Sequence, residues 1–226
     1  MGTNAVINMD TYVYMSMQGT LESMIDILKK GRINDAYALL RKYYDAATIN
    51  IYTILYLEDN FSIDNFVVEK IENWRNGKEQ LPTIRVMNSY LQKSEKIKKI
   101  YNLLQKDKRY SKLRERCNDH THYNFYYNVL QNNNQMFWQK RNLLLDRFSK
   151  DVEDVFIFHL SYLFYINDQY MMASDYIDAL DCGVTPELDS QYWVAPFVQD
   201  IFDNVIKKNR MDLAMAIQED TAMLLK

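Results

Sequence analysis

Residues 34–59 read NDAYALLRKYYDAATINIYTILYLED. Apolar side chains recur there three and four positions apart, at Tyr37, Leu40, Tyr44, Ala47, Ile51, Ile54 and Leu55. That spacing places them along one face, so the segment predicts a long helix with a continuous buried stripe. Asn34 is a suitable N-cap, and the acidic pair Glu58 and Asp59 marks the end of the helix. A stripe of this length needs other helices to cover it.

Helical patterns continue on both sides of this segment. The residues before it predict a helix over 11–30 that ends at Gly31 and packs antiparallel to the long one. After it, a shorter helix is predicted over 64–76. A further helical stripe runs from Met87 to Leu104. It loses phase near 106–109, where a kink or a new helix is expected.

The second half of the chain is also helical in pattern. After an Asn-rich junction at 132–134, residues 136–181 predict one long helix or two helices in series. Tyr170 is among the candidates for burial in this run. His159 lies in its most apolar part, which indicates a hydrogen-bonded core histidine. Gly183 ends the run.

The remaining residues predict a loop and two last helices. Pro186 and Asp189 mark the loop, and the helices are expected over about 197–205 and 209–224. We find neither an internal repeat nor a linker of the kind that separates domains. The sequence therefore predicts one domain over 1–226, with a bundle core over about 11–180 and a C-terminal extension over about 189–226.

Composition points to the same fold class. The 226 residues include only 5 Gly and 3 Pro, which leaves little material for the many tight turns of a β-rich fold. Hydrophobic residues make up 48% of the chain, enough to close a core. We therefore predict an all-α protein with an up-and-down helical bundle.

Cysteine usage and hydropathy predict a cytoplasmic protein. Cys117 and Cys182 are far apart and show neither a disulfide framework nor a zinc pattern. The first residues lack the pattern of a signal peptide. The longest apolar run, 155–166, is shorter than the roughly 18 residues that a membrane-spanning helix needs.

Residues 93–116 form a basic stretch within an acidic chain. They include ten basic and three acidic residues, a net charge of +7, whereas the whole chain carries −3. Such a stretch is either a solvated helix face or a surface for polyphosphate. The candidate RNA-binding residues on it are Lys98, Lys99, Lys106, Lys108, Arg109 and Lys112.

The basic stretch ends in a cluster that has the residue types needed for phosphodiester chemistry. Residues 113–124 read LRERCNDHTHYN and contain two of the three histidines of the chain. His transfers protons near neutral pH, and Arg holds a phosphate through paired hydrogen bonds. The candidate catalytic residues are Arg114, Arg116, Asn118, Asp119, His120 and His122. Two histidines at this spacing fall short of a zinc-ligand set, so neither a metal nor another cofactor is predicted.

The spacing within this cluster resembles the HEPN superfamily of helical proteins. Both Arg116 with His122 and Arg114 with His120 enclose five residues, which matches the family's Arg-x4–6-His pattern, and we favour the first pair. The residues after the two arginines are Cys117 and Glu115, where the family often has Asn, Asp or His. Residues 35–58 resemble the long helix that carries an Arg and an acidic residue on a packed face in such proteins.

The resemblance implies a function. Many HEPN proteins are metal-independent endoribonucleases of bacterial defence, abortive infection and toxin–antitoxin systems. It implies RNA as the substrate, a homodimer that joins two Arg and His clusters in one cleft, and an antitoxin as a partner. In that case Arg116→Ala and His122→Ala should each abolish activity and leave the fold intact. The alternative is a non-catalytic helical interaction domain in which the cluster is a structural corner.

An aromatic segment follows the cluster. Tyr123, Phe125, Tyr126 and Tyr127 are spaced as neighbours on a helix, which favours packing in the core. Stacking on RNA bases is the alternative.

Overall fold

The computed structural model describes residues 9–62, 67–133, 135, 139–184 and 193–226. Within these residues there are eleven α-helices and no β-strand beyond isolated bridge pairing, such as that of Met172 with Val194. The predicted all-α class is confirmed. In the same part of the chain, no helix is long and apolar enough to cross a membrane.

The chain divides into two compact units. The first comprises the described residues of 1–91 and 108–155, and the second comprises those of 92–107 and 156–226. The boundaries fall next to Gln92, Lys108 and Phe156. The predicted single domain stays a prediction.

The first unit is built around the predicted long helix. Its helices are α1 (Met9–Lys29), α2 (Ile33–Asn60), α3 (Glu69–Arg75), most of α4 (Ile84–Lys93), α6 (Arg109–Thr121), α7 (Tyr126–Leu130) and the first part of α8 (Arg141–Ile166). Both α1 and α6 pack against α2. Burial of α2 along most of its length follows from these two partners, and Leu40, Ala47 and Ile51 are fully buried.

The start of α2 differs from the prediction. The helix begins at Ile33 after a turn in which Gly31 has φ 75°, a left-handed conformation that glycine adopts without strain. Asn34 lies inside the helix and is buried. Its side chain contacts His120 of α6, so Asn34 joins two helices and does not cap one.

Two other helix boundaries also differ. The helix predicted from residue 64 begins at Glu69, and residues 63–66 lie outside the described residues. The stripe from Met87 to Leu104 is interrupted, because α4 ends at Lys93 and α5 (Lys98–Gln105) follows after a break. The predicted break near 106–109 is confirmed, with Lys108 in the left-handed region at φ 54°.

The second unit contains α5, the end of α8, a short 3-10 turn (Asp168–Tyr170), α9 (Ser174–Asp181), α10 (Pro196–Ile201) with a π-helical continuation (Phe202–Lys207), and α11 (Met211–Asp220). For 136–181 the sequence predicted one long helix or two helices in series, and the second alternative is correct. Tyr170 is exposed, contrary to its predicted burial. His159 is buried as predicted, and burial lowers its pKa to about 4. The predicted loop at 186–189 lies outside the described residues.

Candidate functional site

Helix α6 carries all the candidate catalytic residues up to His120 and has three distinct sides. Leu113, Cys117 and His120 form its buried side. Arg116 lies on one flank of that side, and Arg114 lies on the other. This arrangement follows from the helical period, because residues two apart point about 200° from each other.

The Arg116 flank faces a carboxylate of α8. Arg116 Nε donates to Asp151 Oδ2 at 2.9 Å, and its Nη2 donates to Oδ1. The hydroxyl of Tyr37 on α2 donates to the same Oδ2 at 2.9 Å. Asp151 is only 2% exposed, so its charge is compensated inside the protein. The hydrogen bonds to Asp151 raise the pKa of Arg116.

A second Arg–Asp pair joins the same two helices. Arg109 Nη1 lies 2.9 Å from Asp154 Oδ1, one helical turn beyond Asp151 on α8. Asp154 is buried, which raises the pKa of its carboxyl group. Arg109, a candidate RNA-binding residue, therefore takes part in holding α6 to α8.

His120 is enclosed between α6 and α2. Its ring stacks on that of Tyr37, with the ring centres 4.0 Å apart and the planes 9° from parallel. Its Nδ1 donates to Asn34 Oδ1 at 2.9 Å. Burial lowers the pKa of His120 to about 4, so the imidazole is neutral at physiological pH. Burial likewise raises the pKa of the Cys117 thiol to about 12, which leaves no thiolate for nucleophilic chemistry.

The Arg114 flank faces a second carboxylate, this time on α2. Arg41 Nε donates to Asp45 Oδ2 at 2.8 Å, and Arg41 Nη1 donates to Asn118 Oδ1 of α6. Arg114 Nη1 lies 3.2 Å from Asp45 Oδ1. The Arg114 guanidinium also lies over the ring of Tyr44, 6.0 Å from its centre. Two arginines therefore meet one carboxylate.

His122 differs from His120 in its surroundings. It caps the C-terminus of α6, where its backbone N–H donates to Asn118 O at 2.9 Å. Its side chain is exposed, and no hydrogen bond joins its ring to any described residue. Asp119 holds the turn after it, because Asn124 donates a side-chain N–H to the Asp119 carboxylate at 2.7 Å.

The aromatic segment after His122 is exposed. The side chains of Tyr123, Phe125, Tyr126 and Tyr127 all lie on the surface, and Tyr126 is 75% exposed. The prediction that they pack in the core is wrong. Tyr123 and Phe125 precede α7, and Tyr126 and Tyr127 begin this helix of only five residues, so the four rings do not share one long helical face. The rings of Phe125 and Tyr127 stack with centres 5.8 Å apart.

Buried polar residues hold this segment in place. Asn128 is fully buried, and its Nδ2 donates to Asp119 O at 2.9 Å. The buried Gln131 donates to Asn128 Oδ1 and accepts a hydrogen bond from the backbone N–H of Ile33 at its carbonyl. Asn132 donates to the Asp35 carboxylate at 2.6 Å. The exposed rings therefore project from an anchored backbone.

The lysines of the basic stretch have unequal environments. Lys98 pairs with Glu95, and Lys99 pairs with Glu219 and Asp220. The remaining candidates are exposed and have no ion pair with a described residue: Lys106, Lys108 and Lys112. Lys106 belongs to the second unit, whereas Lys108 and Lys112 belong to the first.

Several residues at this site were missed from the sequence. Asp151, Tyr37 and Asn34 surround Arg116 and His120, but Asp151 lies 35 positions from Arg116 in the chain, and Asn34 lies 86 positions from His120. One sequence signal pointed to buried carboxylates. Asp151 and Asp154 lie three positions apart on a predicted helix, and the other residues that continue this three-residue spacing are apolar. Such carboxylates need cationic partners.

Within the described residues, no group of three or more His, Cys, Asp or Glu side chains could hold a metal ion. Cys117 and Cys182 are both free thiols. No family model, no curated protein and no solved structure matches this chain.

Proposed function

We propose that this chain is a HEPN-like, RNA-directed protein that binds unpaired RNA at the end of α6 and cleaves it without a metal ion. One observation carries the proposal: His122 is exposed, and four exposed aromatic side chains follow it on an anchored segment. Aromatic rings stack on unpaired bases, and histidine is a common proton-transfer group in catalysis.

In the proposed reaction His122 assists proton transfer from the attacking 2′-hydroxyl or to the leaving oxygen. Arg116 stabilises the charge that develops on the phosphate. The hydrogen bonds to Asp151 use two of the five N–H donors of the Arg116 guanidinium, so three remain for a ligand. His120 has a positioning role, because its neutral and buried ring supports Tyr37, which in turn holds Asp151.

The proposal extends to the setting of the protein. Following the HEPN resemblance, we propose a cytoplasmic homodimer in which two Arg and His clusters share one cleft. We further propose that it acts in a bacterial defence or toxin–antitoxin system. An antitoxin partner would then cover the surface around His122.

Expression in bacterial cells tests this function. Growth and the integrity of total RNA are followed together for the wild type and for His122→Ala. Because the His122 side chain is exposed and its ring makes no hydrogen bond to a described residue, the variant should fold as the wild type does, which its thermal denaturation checks. We expect slowed growth and fragmented RNA with the wild type alone. Equal growth and intact RNA with both proteins would contradict the proposed cleavage.

A second candidate function is a non-catalytic helical interaction domain. The observation in its favour is that Arg114, Arg116 and His120 all have partners inside the first unit. In this case the cluster joins α2, α6 and α8. The same cell experiment separates the two functions, because an interaction domain gives no RNA fragments in either arm.

A further inference from the structure

Two guanidinium groups and one carboxylate meet at the surface between α2 and α6. They belong to Arg41, Asp45 and Arg114, whose side chains are 19%, 26% and 27% exposed. One positive charge is therefore left uncompensated within the group. Since each side chain is partly exposed, that charge is accessible to a ligand from solvent.

The two arginines are held in place before any ligand arrives. Arg41 is fixed by hydrogen bonds to Asp45 and Asn118, and Arg114 lies within ion-pair distance of Asp45 and over the Tyr44 ring. Long cationic side chains lose conformational entropy when they bind an anion. Here much of that entropy is already lost in the folded protein, which favours binding.

Donors remain free on both guanidinium groups. Arg41 uses Nε and one Nη1 donor, and its Nη2 group donates to no described residue. Arg114 lies within ion-pair distance of Asp45, yet Asp45 Oδ1 receives no well-oriented hydrogen bond in the described chain. The N–H groups of Arg114 are thus available. Guanidinium donors fit the oxygens of a phosphate particularly well.

We propose that Arg41 and Arg114 form a binding site for a backbone phosphate of single-stranded RNA. Asp45 holds the two arginines, and its negative charge lowers their affinity for the phosphate. The inference rests on the proposed function, because it assigns a phosphate of the same RNA. It gives Arg114 a binding role separate from any chemistry at Arg116 and His122. It also adds Arg41, which the sequence motif does not include.

Fluorescence polarisation with a short, labelled 2′-O-methyl oligonucleotide tests this site, because the probe keeps its phosphates and cannot be cleaved through its 2′ position. Affinity is measured over a range of salt concentrations. Arg114→Gln and Arg41→Gln should each weaken binding and reduce the salt slope by about 0.7, the value for one phosphate contact on a single strand. Lys29→Gln, which removes the same charge from an exposed ion pair on α1, is the control and should bind as the wild type.

Asp45→Asn provides a test in the opposite direction. Removing this carboxylate should tighten binding by about fourfold, the effect expected for two unit charges about 5 Å apart in water. If Asp45 had only a structural role, Asp45→Asn would bind the probe as well as the wild type or more weakly. Thermal denaturation of each variant checks its folding.

The outcomes separate the two proposals. If the wild type binds the probe and the three variants match it, the phosphate site is overturned and the proposed function stands. Weaker binding by Asp45→Asn also overturns the site. If the wild type does not bind any single-stranded probe, both proposals fail.

Discussion

At the scale of single residues, Asp151 has the most consequential environment. It accepts hydrogen bonds from Tyr37 and Arg116 in a nearly solvent-free position, so Arg116 is the cation that compensates its negative charge. The motif alone suggested that Arg116→Ala leaves the fold intact. The structure predicts otherwise, because the substitution leaves a buried carboxylate without its cation.

We therefore expect Arg116→Ala to lower the free energy of unfolding by about 2–4 kcal/mol, somewhat below the usual cost of breaking a fully buried pair because Arg116 is partly exposed. Urea denaturation at neutral pH measures this. Lys112→Ala, an exposed change on the same helix, should shift stability by less than about 0.5 kcal/mol. Equal stability of Arg116→Ala and Lys112→Ala would refute the role of the Asp151 pair.

His120 predicts a dependence of stability on pH. Burial lowers its pKa to about 4, whereas an unfolded histidine titrates near 6.5. Between these values the unfolded chain binds a proton that the native protein does not. The contribution of His120 to the free energy of unfolding is therefore fully present above about pH 6.5. It falls by about 3 kcal/mol as the pH drops toward 4.

The contribution of His120 can be isolated by substitution. His120→Gln keeps a hydrogen-bond donor toward Asn34 and does not titrate. Its unfolding free energy should fall less steeply between pH 7 and pH 4.5 than that of the wild type. Parallel pH curves for the two proteins would show that His120 does not account for the acid sensitivity. The buried His159 contributes in both proteins and so cancels.

At the scale of elements, α7 presents the surface on which the proposed RNA binding depends. Phe125→Ala removes a ring that is 50% exposed, so stability should change little. Affinity for single-stranded RNA should fall by about 1–3 kcal/mol if a base stacks there. Tyr12→Ala, which removes a ring that is 68% exposed on α1, is the matched control. Equal losses in both variants, or none, would argue against stacking on α7.

The sequence predicted the elements better than it predicted the contacts between them. The long helix α2 follows from a local period, and the break at Lys108 follows from a local loss of phase. The break between α4 and α5 was missed because Leu91, Ile97 and Leu104 are all buried and continue the apolar stripe across it. The roles of Asp151 and Arg41 depend on packing between distant helices, which local spacing does not specify.

At the scale of the whole molecule, charge is distributed unevenly. Residues 93–116 carry +7 in a chain of net charge −3, and ion pairs with acidic residues outside the stretch compensate part of that excess at Lys99, Arg109 and Arg116. Of the exposed lysines without such pairs, Lys112 lies on the helix that leads to His122, and Lys108 lies immediately before that helix. Their effect on RNA should therefore be electrostatic and independent of RNA sequence.

The proposed reaction makes a prediction for the intact protein. Since the proposed groups are a histidine and an arginine, cleavage of single-stranded RNA should persist in excess chelator and should leave 2′,3′-cyclic phosphate ends. DNA of the same sequence should survive, because it lacks the attacking 2′-hydroxyl. His122→Ala should slow cleavage by about 10²- to 10⁴-fold, the usual contribution of a proton-transfer group. Gel analysis of labelled RNA and DNA, for both proteins and with and without chelator, measures the effects of chelation, of the missing 2′-hydroxyl and of the substitution. Cleavage that stops on chelation, that cuts DNA equally well, or that is unchanged in His122→Ala would rule out this chemistry at the end of α6.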